Sequence, residues 1–141
     1  MQCYQQVLVA NSSESIDSNG LNPLFILVFG ASKAIDRQPA LQTLKEKLPE
    51  VLLTGCSTAE EVAGEQVNDD SLVITYVAFE KTKVVGHTEQ TENAENSAEA
   101  GEVLLAKFDQ KDLKHVFVLS EGLNVNGTSL VKGMRKTQRR K

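Results

Sequence analysis

Two short stretches of the chain gather the groups that could do chemistry. The first, "TGCSTAEE", runs from Thr54 to Glu61 and sets the thiol of Cys56 beside the hydroxyls of Ser57 and Thr58, after Gly55 and before Glu60 and Glu61. The second, "SEGLNVNG", spans Ser120 to Gly127 and offers Glu121, Gly122, Asn124, Asn126 and Gly127. Glycine lets a backbone approach a ligand or take positive φ, and the neighbouring side chains give and accept hydrogen bonds. Backbone amides near Ser57 suit a carboxylate, whereas Glu61 and Glu121 suit an ammonium group. Cys56 has two further readings: a small residue where a strand meets a turn, or a nucleophile, which needs a base that the sequence does not place beside it. Ser57 with Glu60, and Thr58 with Glu61, stand at capping-box spacing, so the same stretch also reads as the start of a helix.

His87 and His115 are the only histidines and Cys3 and Cys56 the only cysteines. No two of His87, His115 and Cys56 share zinc-ligand spacing, and the thiols are too few for a disulfide framework. For haem a single histidine is enough, and either one would serve. A phosphate loop with its lysine, a dinucleotide fingerprint and a serine-hydrolase nucleophile elbow are all missing.

The elements that must carry these stretches follow from periodicity. "PLFILVFGAS" is a continuous apolar run closed by Gly30, which predicts a strand buried on both faces. "QPALQTLKEKLP" places Leu41, Leu44 and Leu48 at helical spacing between Pro39 and Pro49, and "VLLTG" is a further strand. Strand, helix, strand predicts a crossover between parallel strands. "SLVITYVAFE" is apolar on both faces and reads as an interior strand, with "TKVVGH" pairing antiparallel to it. "ENAENSAEAGEVLLAKF" predicts a helix with Ala94, Ala98, Gly101, Leu105 and Phe108 on one face; "HVFVLS" a buried strand; "TSLVKGM" a helix capped by Thr128 or Ser129. "QQVLVA" is a candidate strand ahead of a polar connection, "NSSESIDSNGLN". The expectation is an α/β fold with a mixed, largely parallel central sheet of about five strands and about three crossover helices. Both chemical stretches then lie beyond carboxyl ends of strands, where open α/β sheets bind ligands, and are expected to line one hollow.

A length of 141 residues, 40% apolar and 24% charged, suits one globular domain. Residues 1–20 read as a terminal strand and linker, 21–134 as the α/β domain and 135–141 as a basic tail. The net charge of -4 argues against general attraction to nucleic acid. The tail cations, from Lys132 to Lys141, have no aromatics among them and read as a solvated helix end. Apolar runs are too short to span a bilayer and the first residues do not resemble a secretion leader, so a cytoplasmic location is expected.

Taken in order, "NPLFILVFGAS", "LLTGCSTAEEVAG", "DDSLVITYVAF", "NSAEAGEVLLAKF" and "HVFVLSEGLNVNGTSLVKGM" resemble the amino-terminal part of a FIST domain. The most specific element is "GCSTAEEV", similar to that family's Gly-Cys-Ser-Thr-Ala-Gly-Glu-Ile; Gly55, Cys56, Ser57, Thr58, Ala59 and Glu61 match, and Glu60 stands where the family usually has glycine. The second loop resembles its Asp-Gly-Leu and Asn-Gly-Ser, with Gly122, Leu123, Asn126 and Gly127 matching, Glu121 in place of the aspartate and Thr128 of the serine. The resemblance implies a non-enzymatic sensory module that binds a small polar ligand such as an amino acid. It would pass its signal to a histidine kinase, a cyclic-nucleotide enzyme or a chemotaxis protein; haem-based nitric oxide sensing is an alternative. Members of the family continue beyond the last helix with a further glycine-rich stretch. A site completed by that stretch is expected to be incomplete here, and an open sheet edge to pair with a second copy. A cysteine enzyme using Cys56 and an interaction scaffold are the other readings.

Overall fold

A computed structural model describes residues 1–9, 15–32 and 39–139. Part of the polar connection after the first strand, and the last two residues of the basic tail, lie outside the described residues. The chain divides into two compact units, Met1–Val84 and Val85–Lys141.

The first unit is built on a four-stranded sheet. Its strands are β1 (Gln2–Val9), β2 (Phe25–Gly30), β3 (Leu52–Ser57) and β6 (Ser71–Ala78), in the order β1-β6-β2-β3. The interior position expected for "SLVITYVAFE" is what β6 occupies, with Leu72, Ile74 and Tyr76 at 0% exposure. Strands β2 and β3 pair in parallel around helix α1 (Pro39–Lys47), as the strand, helix, strand pattern predicts. However, β6 runs antiparallel to both β1 and β2, so the sheet is mixed with one parallel pair rather than largely parallel. An apolar pattern on both faces marks a strand as interior and carries no information on its direction.

Helix α1 forms because Leu41, Leu44 and Leu48 recur one turn apart and Pro39 opens it at a position that needs no amide donor. Ala40 and Leu44 pack into a core with Leu8, Ile26, Val28, Leu72, Ile74 and Tyr76. Since every second residue of a strand shares a face, Ile26 and Val28 on β2 and their register partners Leu53 and Gly55 on β3 lie under α1.

After β3 the capping-box spacing predicts a helix, and the structure instead shows a hairpin of β4 (Glu61–Ala63) and β5 (Gln66–Asn68). The turn between Ala63 and Gln66 begins at Gly64 with φ 59°, the place where a type II′ turn requires glycine. Val62 and Val67 face each other across this hairpin, both exposed.

The second unit holds a short 3-10 turn (Ala94–Asn96), helix α2 (Ser97–Ala106) and helix α3 (Gly127–Arg139). The two helices meet backbone to backbone: a Cβ on Gly101 would lie 2.2 Å from the Leu130 carbonyl oxygen, and one on Gly133 1.9 Å from that of Ala98. Only glycine permits so close a crossing. Residues 135–139, set apart in the sequence as a tail, are the last turns of α3. The runs "TKVVGH" and "HVFVLS", expected as strands, form none among the described residues, and Phe117 is exposed. A strand is a property of pairing, and neither run pairs with a strand; for "HVFVLS", no described residue of Val85–Lys141 offers a strand edge.

Candidate functional site

The first chemical stretch sits at the carboxyl end of β3, the outermost strand of its sheet. Burial falls away along it: Leu52 to Thr54 are half-buried, whereas Gly55, Cys56 and Ser57 are exposed. The amide of Leu52 donates to the Leu24 carbonyl at 3.3 Å and that of Thr58 to the Gly30 carbonyl at 3.0 Å. Alternation between those points turns the amides of Thr54 and Cys56 toward β2 and those of Leu53, Gly55 and Ser57 toward the outer edge, where β3 has no further strand partner among the described residues. At Gly55 a Cβ would come within 1.8 Å of the Val28 carbonyl oxygen, so glycine is the residue that fits.

A cleft of about 580 Å³ opens here, on the side of the sheet that α1 covers. Among the described residues, Leu41 and Lys45 from α1, Val28 from β2, Leu53 to Ser57 from β3, and Ser32 line it. One wall is aliphatic and the strand end is polar, the usual balance of a small-molecule site.

Glu61 is directed elsewhere. It is only 1% exposed, and its carboxylate accepts hydrogen bonds from the Thr58 hydroxyl at 2.8 Å, the Ser71 hydroxyl at 3.1 Å and the Ser71 amide at 3.4 Å. Burying a carboxylate is costly unless its lone pairs are met, and here each oxygen has a donor. Thr58 and Glu61 therefore do pair side chain to side chain, as their spacing suggests, but across a turn rather than at a helix start. Through its two oxygens the Glu61 carboxylate ties Thr58, at the end of the exposed stretch, to Ser71, the first residue of β6.

The second stretch lies in the second unit. The Glu121 carboxylate accepts from the amides of Leu123 at 2.7 Å and Asn124 at 2.6 Å, folding the loop on itself. Asn126, not Thr128 or Ser129, caps α3: its side-chain oxygen accepts from the Ser129 amide at 3.0 Å, and its carbonyl from the Leu130 amide at 2.9 Å. The cap lies N-terminal to the expected place because Gly127 already belongs to the helix. The Asn126 amide donates to the hydroxyl of Ser97, fully buried at the start of α2. Gly122, Asn124 and Gly127 remain exposed, with open space around both glycines. The two stretches thus belong to different units, and each is described within its own.

The model of the FIST N domain matches residues 24–140. The chain belongs to that family. FIST domains are sensory modules associated with signal transduction and are generally not enzymatic. No curated protein and no solved structure matches the chain at a significant level. The match leaves β1 outside, yet β1 completes the sheet of this FIST domain through its pairing with β6.

Haem, the alternative raised by the resemblance, finds no histidine in the clefts described here. His87 is exposed and meets the Phe108 ring edge-on at 4.7 Å, and His115 is exposed. Neither histidine lines the cleft at β3, nor a smaller one of about 180 Å³ in the second unit, whose wall carries Glu89, Glu92 and Glu99. Among the described residues no three His, Cys, Asp or Glu side chains are grouped to hold a metal ion. Cys3 and Cys56 are both free and exposed, and the cleft brings Lys45 rather than a histidine to the strand end that carries Cys56.

Sequence reasoning finds the β3 strand end and misses the wall across from it. Leu41 reads as core there, and Lys45 does not stand out. The signal is nonetheless present in the four-residue spacing of Leu41 and Lys45, which places both on one helix face.

Proposed function

We propose that this FIST N domain is a non-enzymatic sensor that binds a small polar ligand of about amino-acid size in the cleft over the end of β3. The observation that carries the reading is the conjunction of an exposed strand end with a cleft of about 580 Å³ lined by both polar and aliphatic side chains. Within it, Gly55, Cys56 and Ser57 present backbone and side-chain groups to the ligand. Thr58 and Glu61 hold that strand end against β6. Glu121, Gly122, Asn124, Asn126 and Gly127, in the second unit, form a separate polar loop to which the family pattern gives a role in ligand recognition. Binding is passed to a signalling partner such as a histidine kinase, a cyclic-nucleotide enzyme or a chemotaxis protein, in the cytoplasm. No helix among the described residues is long and apolar enough to cross a membrane.

A thermal-shift panel of amino acids and small organic acids tests the reading, because a ligand that binds only the folded state raises the midpoint. At a hundredfold excess over Kd the stabilisation is about 2.7 kcal/mol. The expected result is a concentration-dependent rise that disappears when Ser57→Trp fills the cleft. A rise of equal size in that variant would remove the cleft from the account.

A further inference from the structure

We propose that the outward face of α3, which carries Lys132 and Arg135, docks on the outward face of α2 of a second copy of this chain, with Arg135 entering the small acidic cleft there. The protein thereby associates head to tail through its second unit, and the inference does not depend on the cleft at β3.

The charge of the chain is divided along its length. Six of its fifteen Lys and Arg stand in the last ten residues, which hold none of its nineteen Asp and Glu. Conversely, the segment from Val84 to Ala106 holds five glutamates and no Lys or Arg. Helices α3 and α2 are built from these two segments, so the division becomes one of space. α2 turns Ser97, Gly101 and Leu105 inward, and α3 turns Leu130, Gly133 and Met134 inward, where the two backbones meet. At 3.6 residues per turn, the opposite face of α2 is that of Glu99 and Val103, and the opposite face of α3 is that of Val131, Lys132 and Arg135. All five are exposed. Two helices packed face to face present their outer surfaces in opposite directions. Within one chain these two faces cannot meet; between two copies they can.

The two faces match in more than sign. Among the described residues, Glu92 and Glu99 stand on the wall of the cleft of about 180 Å³, and Ala100 and Val103 supply its apolar part. Such a cleft suits one long side chain with an aliphatic stem and a planar cationic end, which is an arginine. On α3, Arg135 is one turn from Val131, so the arginine can enter while Val131, 46% exposed, covers Val103, 42% exposed. Acceptance of an α3 cation by an α2 glutamate is already present inside the chain, where Lys136 donates to the Glu102 carboxylate at 2.9 Å. A membrane or a nucleic acid fits this helix less well. Leu130 and Met134, apolar on α3, are packed against α2 instead of facing lipid. The acidic remainder of the chain is repelled by any extended anionic surface.

Single exposed ion pairs contribute little, so the association is weak and is read at high concentration and low salt. Sedimentation velocity of the whole chain, from about 10 µM to about 1 mM in about 50 mM NaCl, should show a mean sedimentation coefficient that rises beyond that of a dimer, because a head-to-tail contact leaves one face open at each end. Raising the salt tenfold should weaken the association about tenfold or more. Lys132→Gln with Arg135→Gln removes one face, and Glu92→Gln with Glu99→Gln the other. All four residues are exposed, so both double variants should keep the wild-type midpoint of thermal unfolding. Each alone should stay monomeric, whereas an equimolar mixture should form a dimer and stop there, since it holds one intact pair of faces. A wild type that stays monomeric at the highest concentration overturns the proposal. So does a mixture that stays monomeric while both midpoints are kept, or association that persists in either variant alone. Monomers that bind phosphatidylserine vesicles through Lys132 and Arg135 would give the basic face to a membrane instead.

Discussion

At Glu61 a carboxylate next to a polar strand end is drawn inward, toward the hydroxyls of Thr58 and Ser71 and the Ser71 amide. Its role is to position rather than to touch, because both oxygens are used before any ligand arrives. Replacing it by alanine leaves a buried hydroxyl and amide on Ser71 without partners and should cost about 2–4 kcal/mol of unfolding free energy. Glu61→Gln keeps one acceptor oxygen and should cost less. Denaturant titration of both variants checks the order; equal losses would mean that bulk rather than hydrogen bonding holds the turn. The type of residue at Glu61 is visible from the sequence, but not the direction in which it points. That direction depends on Ser71, which arrives only after an intervening hairpin.

Among the elements, the closest contact is between α2 and α3, where Gly101 and Gly133 let the backbones meet. Gly133→Ala drives a methyl group into the Ala98 carbonyl and should destabilise the second unit by about 2 kcal/mol or more. Gly122→Ala, with open space around it, should stay within about 0.5 kcal/mol of wild type. Circular dichroism during denaturation separates the two, and similar midpoints would contradict the packing described. The sequence shows small residues on one face of α2 and so announces close packing, without naming the partner. Periodicity likewise identifies β2, α1, β3 and β6 nearly to the residue, since burial of a repeating apolar face needs no knowledge of what covers it. It fails at 115–120 and 82–87, where an apolar run makes a strand only if it pairs with one. It fails again after β3, where Gly64 decides for a hairpin against the capping pattern.

On the scale of the whole molecule, β1 anchors to the sheet through Tyr76, whose hydroxyl donates to the Gln6 side chain at 3.2 Å and whose ring stacks on Tyr4. Burial, then the charge of Asp17, then Tyr4, push the Tyr76 phenol up to about 12 from 10.0. The folded state therefore holds this proton more tightly than the unfolded chain does. The resulting stability is complete below pH 10 and is lost as pH rises toward 12, an amount on the order of 2 kcal/mol. Tyr76→Phe should flatten that alkaline decline while lowering stability at neutral pH by about 1 kcal/mol for the missing hydrogen bond. Unfolding free energies measured across that range test this, and an unchanged slope would contradict it.

β1 and β3 form opposite edges of the same sheet, and each carries one exposed thiol, Cys3 on β1 and Cys56 on β3. Cys56 lines the cleft and Cys3 does not. The most direct test of a ligand site at the end of β3 is the rate at which iodoacetamide alkylates each thiol, with and without a ligand that raises the unfolding midpoint. Occupancy should slow Cys56 in proportion to saturation while Cys3 reacts as before. A ligand that stabilises the protein yet leaves the Cys56 rate unchanged would place binding elsewhere and contradict the account.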